Sequence, residues 1–295
     1  MFSLFLGSCL TVSREQGRMV RQFAKSTENF SVFPLKIGSE LACIREGRGI
    51  YYANSLTDPL LHLGELDAIF KERMNDDRLP GRVGVAFKVL DRYADGLLQL
   101  TSDAPFTARS RCMVRFGSEM DTLVGKYNQV SEGHHLPAGI GTAFAAIVAE
   151  GTNHFLAGRQ YQLLRRYVIG ADTLVSSVCA EMLSWLSSET LRQLIQNEET
   201  GIHESFRFFF TKRSQPTIEC DRDYLDLMKR VENLNSLRLQ TMSAVRDLAV
   251  VHRKLAEALS GKRTLQETIE QLTTFYSEME HLRNLFDTLK HPKYN

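Results

Sequence analysis

His134 and His135 stand side by side, and an adjacent imidazole pair is the most direct metal-binding chemistry this chain could offer. Neighbouring residues point to opposite faces of a strand and diverge on a helix, so the two rings are poorly placed to share one ion. No second ligand motif accompanies them, and the pair reads as a solvated loop leading into Pro137. Carboxylates, the groups acid–base catalysis uses, recur as Asp76-Asp77, Asp221 with Asp223, and Glu278 with Glu280. Each pair sits among turn signals or on a polar helix face, where solvation accounts for it. Asp221 and Asp223 suit a helix start, where negative charge complements the dipole. Gly139-Ile140-Gly141 begins like a dinucleotide loop, but Phe144 occupies the place of the third glycine and no strand precedes it. A helix start or a close helix contact is expected there instead. Neither a P-loop nor a G-x-S-x-G elbow occurs. The residues therefore predict no catalytic centre, no metal site and no cofactor, and the chain is expected not to be an enzyme.

Charge and cysteine usage restrict the partners. Thirty-six Lys and Arg against 35 Asp and Glu give a formal net charge of +1, with the signs interspersed. Nonspecific nucleic-acid binding, which needs clustered cations to neutralise phosphates, is disfavoured. Cys9, Cys43, Cys112, Cys179 and Cys220 are odd in number and far apart, as free thiols of a reducing compartment would be. No run approaches the roughly 20 apolar residues a membrane span requires; Leu136 to Ala149 is the longest uncharged stretch. Met1 to Ser13 lacks acidic residues and precedes Arg14, Arg18, Arg21 and Lys25, a loose similarity to a transit peptide. An apolar core of only about five residues is too short for a secretory signal, and a cytoplasmic location is expected.

Proline divides the elements that must carry these residues: Pro34, Pro59, Pro80, Pro105 and Pro137 precede Ala138, whereas only Pro216 falls between Ala138 and His291. In the first half, Leu41 to Ile44 and Ile50 to Tyr52 flank Gly47-Arg48-Gly49, a pattern that predicts a β-hairpin. Leu61, Leu63, Leu66, Ile69, Phe70 and Met74 predict one short helix after Asp58-Pro59. Val83, Val85, Phe87 and Val89 alternate as a strand does, Ala94-Asp95-Gly96 reads as a turn into Leu97 to Leu100, and Cys112, Val114 and Phe116 alternate again. Later, Leu174, Val178, Met182 and Leu186 share a helical face. Phe206, Phe208 and Phe210 predict a strand returning through Thr217 to Cys220, its rings packing rather than stacking on bases. The expected class is α+β. It comprises an N-terminal segment 1–29, a small antiparallel-sheet domain with one helix over 30–135, a helical region over 136–220 holding a short hairpin, and a long antiparallel helical hairpin over 221–295.

The two closing helices carry the functional expectation. Leu265, Ile269, Leu272, Tyr276, Met279, Leu282, Phe286 and Leu289 recur by threes and fours as in a coiled coil, and Thr264 with Glu267 fits a capping box. The helix before it has a broader stripe, with area beyond what one partner helix covers. A scaffold or accessory subunit of a multiprotein complex is expected, binding other subunits or a second copy through Leu272, Met279, Leu282 and Phe286. Arg14-Glu15-Gln16-Gly17-Arg18 has the RxxxR form found before the barrel of PilZ domains, which bind cyclic dinucleotides, and Gly84-Val85-Ala86-Phe87 is similar to a late strand of that family. The family's [DN]-x-S-x-x-G is absent, Asn54-Ser55-Leu56-Thr57 standing in its neighbourhood, so no family is assigned. The alternative expectation is a ligand-responsive regulator that binds a small anion such as a nucleotide at the β domain through Arg14, Arg18 and Arg48.

Overall fold

The computed structural model describes residues 14–30, 33–76, 81–102, 106–130, 135–151, 157–212, 216–261 and 265–290. Of these, 92% are helical and none lies in a strand, which corrects the α+β expectation to an all-α fold. The described helices are α1 (Arg14–Phe30), α2 (Phe33–Ser55), α3 (Pro59–Asp76), α4 (Gly81–Leu100), α5 (Phe106–Val130), α6 (Ile140–Gly151), α7 (Ala157–Gly170), α8 (Asp172–Leu186), α9 (Glu189–Lys212), α10 (Ile218–Leu259) and α11 (Leu265–Lys290).

Each predicted strand fell to a longer helical pattern. Val83 and Val89 are buried with Ala86, Phe87, Leu90, Tyr93, Ala94, Leu97 and Leu100, a 3.6-residue stripe of which the alternation is one sampling. Cys112 to Phe116 belongs to α5, whose stripe continues through Met120, Val124 and Tyr127. Phe206 to Phe210 belongs to α9, and only Phe206 is fully buried there. Gly47-Arg48-Gly49 is not a hairpin link but lies inside α2, and its glycines admit neighbours from two sides. A Cβ on Gly47 would lie 2.7 Å from Leu227 Cδ2, and one on Gly49 would lie 2.8 Å from Ile69 Cδ1. Ala94-Asp95-Gly96 is likewise interior to α4, with Gly96 under Phe116 and Tyr167.

Side chains mark the helix starts. Asp58 Oδ1 accepts from Leu60 N at 2.8 Å and Pro59 opens α3, where its missing N–H costs nothing. Ser188 Oγ accepts from Leu191 N to cap α9, and Thr217 Oγ1 accepts from Cys220 N to cap α10. Asp121 caps α6 from α5: Oδ1 accepts from Gly141 N at 2.8 Å, and Oδ2 from Thr142 N at 2.7 Å. The first helix of the expected hairpin is α10, which begins at Ile218, three residues before 221, and spans about 60 Å. Its C-terminus closes on Gly261 at φ 80°, with Gly261 N donating to Ala258 O. Thr264 lies outside the described residues. No described helix is long and apolar enough to cross a membrane.

The chain forms two compact units, each drawn from three stretches. The first takes residues 1–29, 85–179 and 247–276, and its core gathers Phe23, Tyr93, Tyr127, Leu174, His252 and Phe275. The second takes residues 30–84, 180–246 and 277–295, with α2 packed on both α3 and α9. Its core includes Ile37, Ile44, Ile202, Phe206, Leu234 and Leu237.

Candidate functional site

The α11 stripe divides: Ile269 and Tyr276 are exposed on it, by 40% and 46%. Leu272, Met279 and Leu282 are 2%, 5% and 1% exposed, so these expected anchors sit in the core of the folded chain. The side chain of Phe286 lies outside the described residues. The arginines of the anion-binding alternative divide between the two units. Arg18 is exposed on α1 in the first unit, Arg48 belongs to the second, and the Arg14 side chain lies outside the described residues. Arg48 Nε donates to Glu198 Oε2 at 2.6 Å, and Arg45 Nε donates to Oε1 of the same carboxylate at 2.5 Å. Glu198 is only 2% exposed, so the two guanidiniums, one α2 turn apart, supply the compensation a buried carboxylate requires. With the sheet gone, the β-domain ligand site is withdrawn too.

The unexpected surface is α3. His62, Leu66 and Ile69 are half-buried on its inner side, where His62 Nδ1 donates to Ala53 O of α2 at 2.8 Å and Ile69 meets Gly49. Its outer side holds Leu60, Leu61, Leu63 and Phe70, exposed by 80%, 61%, 59% and 66%. Single exposed apolar residues are ordinary, but four large ones within eleven positions of one helix form a patch. Gly64, Asp67, Ala68 and Lys71 are exposed among them. The signal lay in the sequence: apolar residues at 60, 61, 63, 66, 69 and 70 cover a wider arc than one buried stripe occupies.

No family model, no curated protein and no solved structure matches this chain.

In the first unit, a polar chain crosses the core unannounced by any motif. Tyr93 donates its hydroxyl to His252 Nε2 at 2.7 Å, and His252 Nδ1 donates to Asp172 Oδ1 at 3.0 Å. Tyr93 and His252 are fully buried. Burial pushes the Tyr93 hydroxyl well above its ordinary pKa, and the Asp172 charge adds to the effect. Burial pulls the imidazole down, against the opposing pull of Asp172. The His252 bond in turn holds the Asp172 carboxyl below the usual range. Each bond is satisfied within the protein, and the arrangement serves to fix the packing of α4, α8 and α10 there.

The remaining sequence candidates scatter. His135 is exposed in the segment before α6, and His134 lies outside the described residues. Gly139 has φ 77° just before α6, and the Gly141 and Thr142 amides that would face a pyrophosphate are bonded by Asp121. Asp221 is in the first turn of α10, while Asp223 accepts the Tyr51 hydroxyl. Glu280 is exposed and Glu278 half-buried; Asp77 and the Asp76 side chain lie outside the described residues. Cys43, Cys179 and Cys220 are free thiols, and burial pushes the Cys179 thiol far up. Among the described residues, no three His, Cys, Asp or Glu side chains converge as metal ligands.

Proposed function

We propose that this is a non-enzymatic interaction protein that associates with a second copy of itself through α3. The observation that carries the proposal is the exposed row of Leu60, Leu61, Leu63 and Phe70. Docking is assigned to α3 because Leu272, Met279 and Leu282 of α11 are buried within the chain. A second copy is the occupant the face fits best, because large and small residues alternate on it and one Asp balances one Lys, leaving no net charge to select an acidic or basic partner. In a two-fold pair the same patch must complement itself. Two antiparallel α3 helices that meet along Leu60, Gly64, Asp67 and Lys71 set Gly64 opposite Asp67 and Leu60 against the methylene stem of Lys71, with Leu61 on one flank of the seam and Leu63 and Phe70 on the other.

The test is sedimentation velocity on the full chain beside Leu63→Asp and Phe70→Asp. Both sites are mostly exposed, so the variants keep the native helical circular dichroism. The wild type sediments as a dimer with a dissociation constant in the micromolar range, about 8 kcal/mol of association, and both variants sediment as monomers. A wild-type monomer at about 100 µM, some hundredfold above that constant, overturns the proposal.

A further inference from the structure

A cavity of about 630 Å³ opens in the second unit between α2 and α10, with Phe209 of α9 at its edge. That volume lies in the range of small-molecule sites, roughly 300 to 1,000 Å³. Helical spacing builds it from both sides. Cys43, Glu46, Gly47, Ile50 and Asn54 recur on one face of α2, while Cys220, Asp223, Asp226, Leu227 and Arg230 recur on one face of α10. Gly47 lets Leu227 approach the α2 backbone, which pins the two helices together along the cavity wall.

The lining has a definite chemical bias. It holds three carboxylates, Glu46, Asp223 and Asp226, against one guanidinium, Arg230. Arg230 is already bonded within the protein: its Nε donates to Asp226 at 3.2 Å and its NH1 group donates to Glu40 at 3.1 Å. Asp223 instead takes its bond from a neutral group, the Tyr51 hydroxyl, at 2.5 Å. Tyr51 is itself held in place, stacked on Phe206 with centroids 4.0 Å apart and edge-on to Phe209 at 5.2 Å. That pair fixes the Asp223 carboxylate beside an aromatic wall. Burial and the Asp223 charge push the Tyr51 pKa far up, so its hydroxyl remains a donor and adds no negative charge.

We propose that this cavity binds a small organic cation, a primary amine carrying an aromatic or aliphatic body. The ammonium lies against Asp223, and the body lies on Ile50, Leu227 and Phe209. The pairing has a physical basis on both sides. An ammonium offers three donors to acceptor-only carboxylates, and ring faces attract cations electrostatically. An anion would meet net negative charge and could win Arg230 only by breaking its bonds to Asp226 and Glu40. The site is independent of the α3 association.

The probe is 2-phenylethylammonium, titrated into the full chain by calorimetry at neutral pH, with 2-phenylethanol and phenylacetate as neutral and anionic counterparts of the same body. The ammonium binds, the alcohol binds at least tenfold more weakly, and phenylacetate does not bind. Asp223→Asn, an exposed position that keeps the fold, weakens the ammonium at least tenfold and leaves the alcohol unchanged. Phe209→Leu weakens both amine and alcohol. The proposal is overturned if the alcohol matches the amine, if phenylacetate binds better, or if none of the three binds. It is equally overturned if Asp223→Asn, with native circular dichroism, binds the amine as the wild type does.

Discussion

His252 has no exposed surface, and its protonation state is set by two neighbours that bond to opposite ring nitrogens. Asp172 is an acceptor, so the Nδ1 proton stays on the ring and Nε2 is left to receive the Tyr93 hydroxyl: the neutral imidazole satisfies both bonds. Burial dominates, and the folded pKa lies below the ordinary histidine value. A group whose folded pKa is lowered contributes stability that is fully present above its unfolded value of about 6.5 and is lost as pH falls below it. Asp172, also lowered, adds a second loss only at pH values below about 4. The chain should therefore lose urea resistance between about pH 7.5 and pH 5, by at most about 1.4 kcal/mol per pH unit from this one ring. His252→Gln cannot take up that proton, and its unfolding midpoint should vary less over the same interval. Equal pH slopes in the two proteins would refute the assignment. The Glu198 clamp follows the same logic with charges in place of a neutral ring, since Arg45 and Arg48 bracket one buried carboxylate and both lie on α2.

The α5–α6 crossing is decided by two glycines. A Cβ on Gly141 would stand 2.0 Å from Gly117 O, and one on Gly117 would stand 2.4 Å from Gly141 O, so neither helix can carry a side chain at the contact. Gly141→Ala must force the helices apart and loosen the Asp121 cap, at a cost of about 3 kcal/mol or more. Gly125→Ala on the same α5 meets no atom within 4 Å and should stabilise the helix by about 0.5 to 1 kcal/mol. Denaturant unfolding of the two variants separates steric contact from backbone entropy, and equal effects would refute the crossing. These glycines also explain what the sequence made legible. Long stripes such as those of α8 and α10 are plain in the sequence, and the alternatives of a helix start or close packing at Gly139-Ile140-Gly141 both fit the Asp121 cap of α6 and the Gly117 contact. The error arose where glycine and β-branched residues recur inside helices. Gly47, Gly49 and Gly96 have the chemistry of turns but serve as gaps that Leu227, Ile69, Phe116 and Tyr167 enter, and those partners are distant in sequence. Nothing local to Ile50 or Tyr51 announces that the same face of α2 lines a cavity, because half of that cavity comes from α10.

Across the whole chain, α11 is the element that both units require. Its first half gives Leu272 and Phe275 to the first unit, where Phe275 stacks on Phe23 at 6.2 Å, and its second half gives Met279 and Leu282 to the second. The 3-4-3 spacing of these four residues is the seam of a coiled coil, yet their burial marks them as core. The two roles make opposite predictions. A docking stripe tolerates truncation without loss of stability and fails only in binding, whereas a core stripe fails in stability first. Phe275→Ala should cost about 3–5 kcal/mol and Leu282→Ala about 2–5 kcal/mol, the range for emptied core sites. Neither should shift the monomer–dimer equilibrium of the molecules that remain folded, because the α3 face is untouched. Ending the chain at residue 264 removes all four side chains at once and exposes apolar surface in each unit, so that product should aggregate or melt without a cooperative transition. Urea unfolding of the two alanine variants, read beside their sedimentation, checks the assignment. Wild-type stability combined with lost association would return the docking role to α11 and take it from α3.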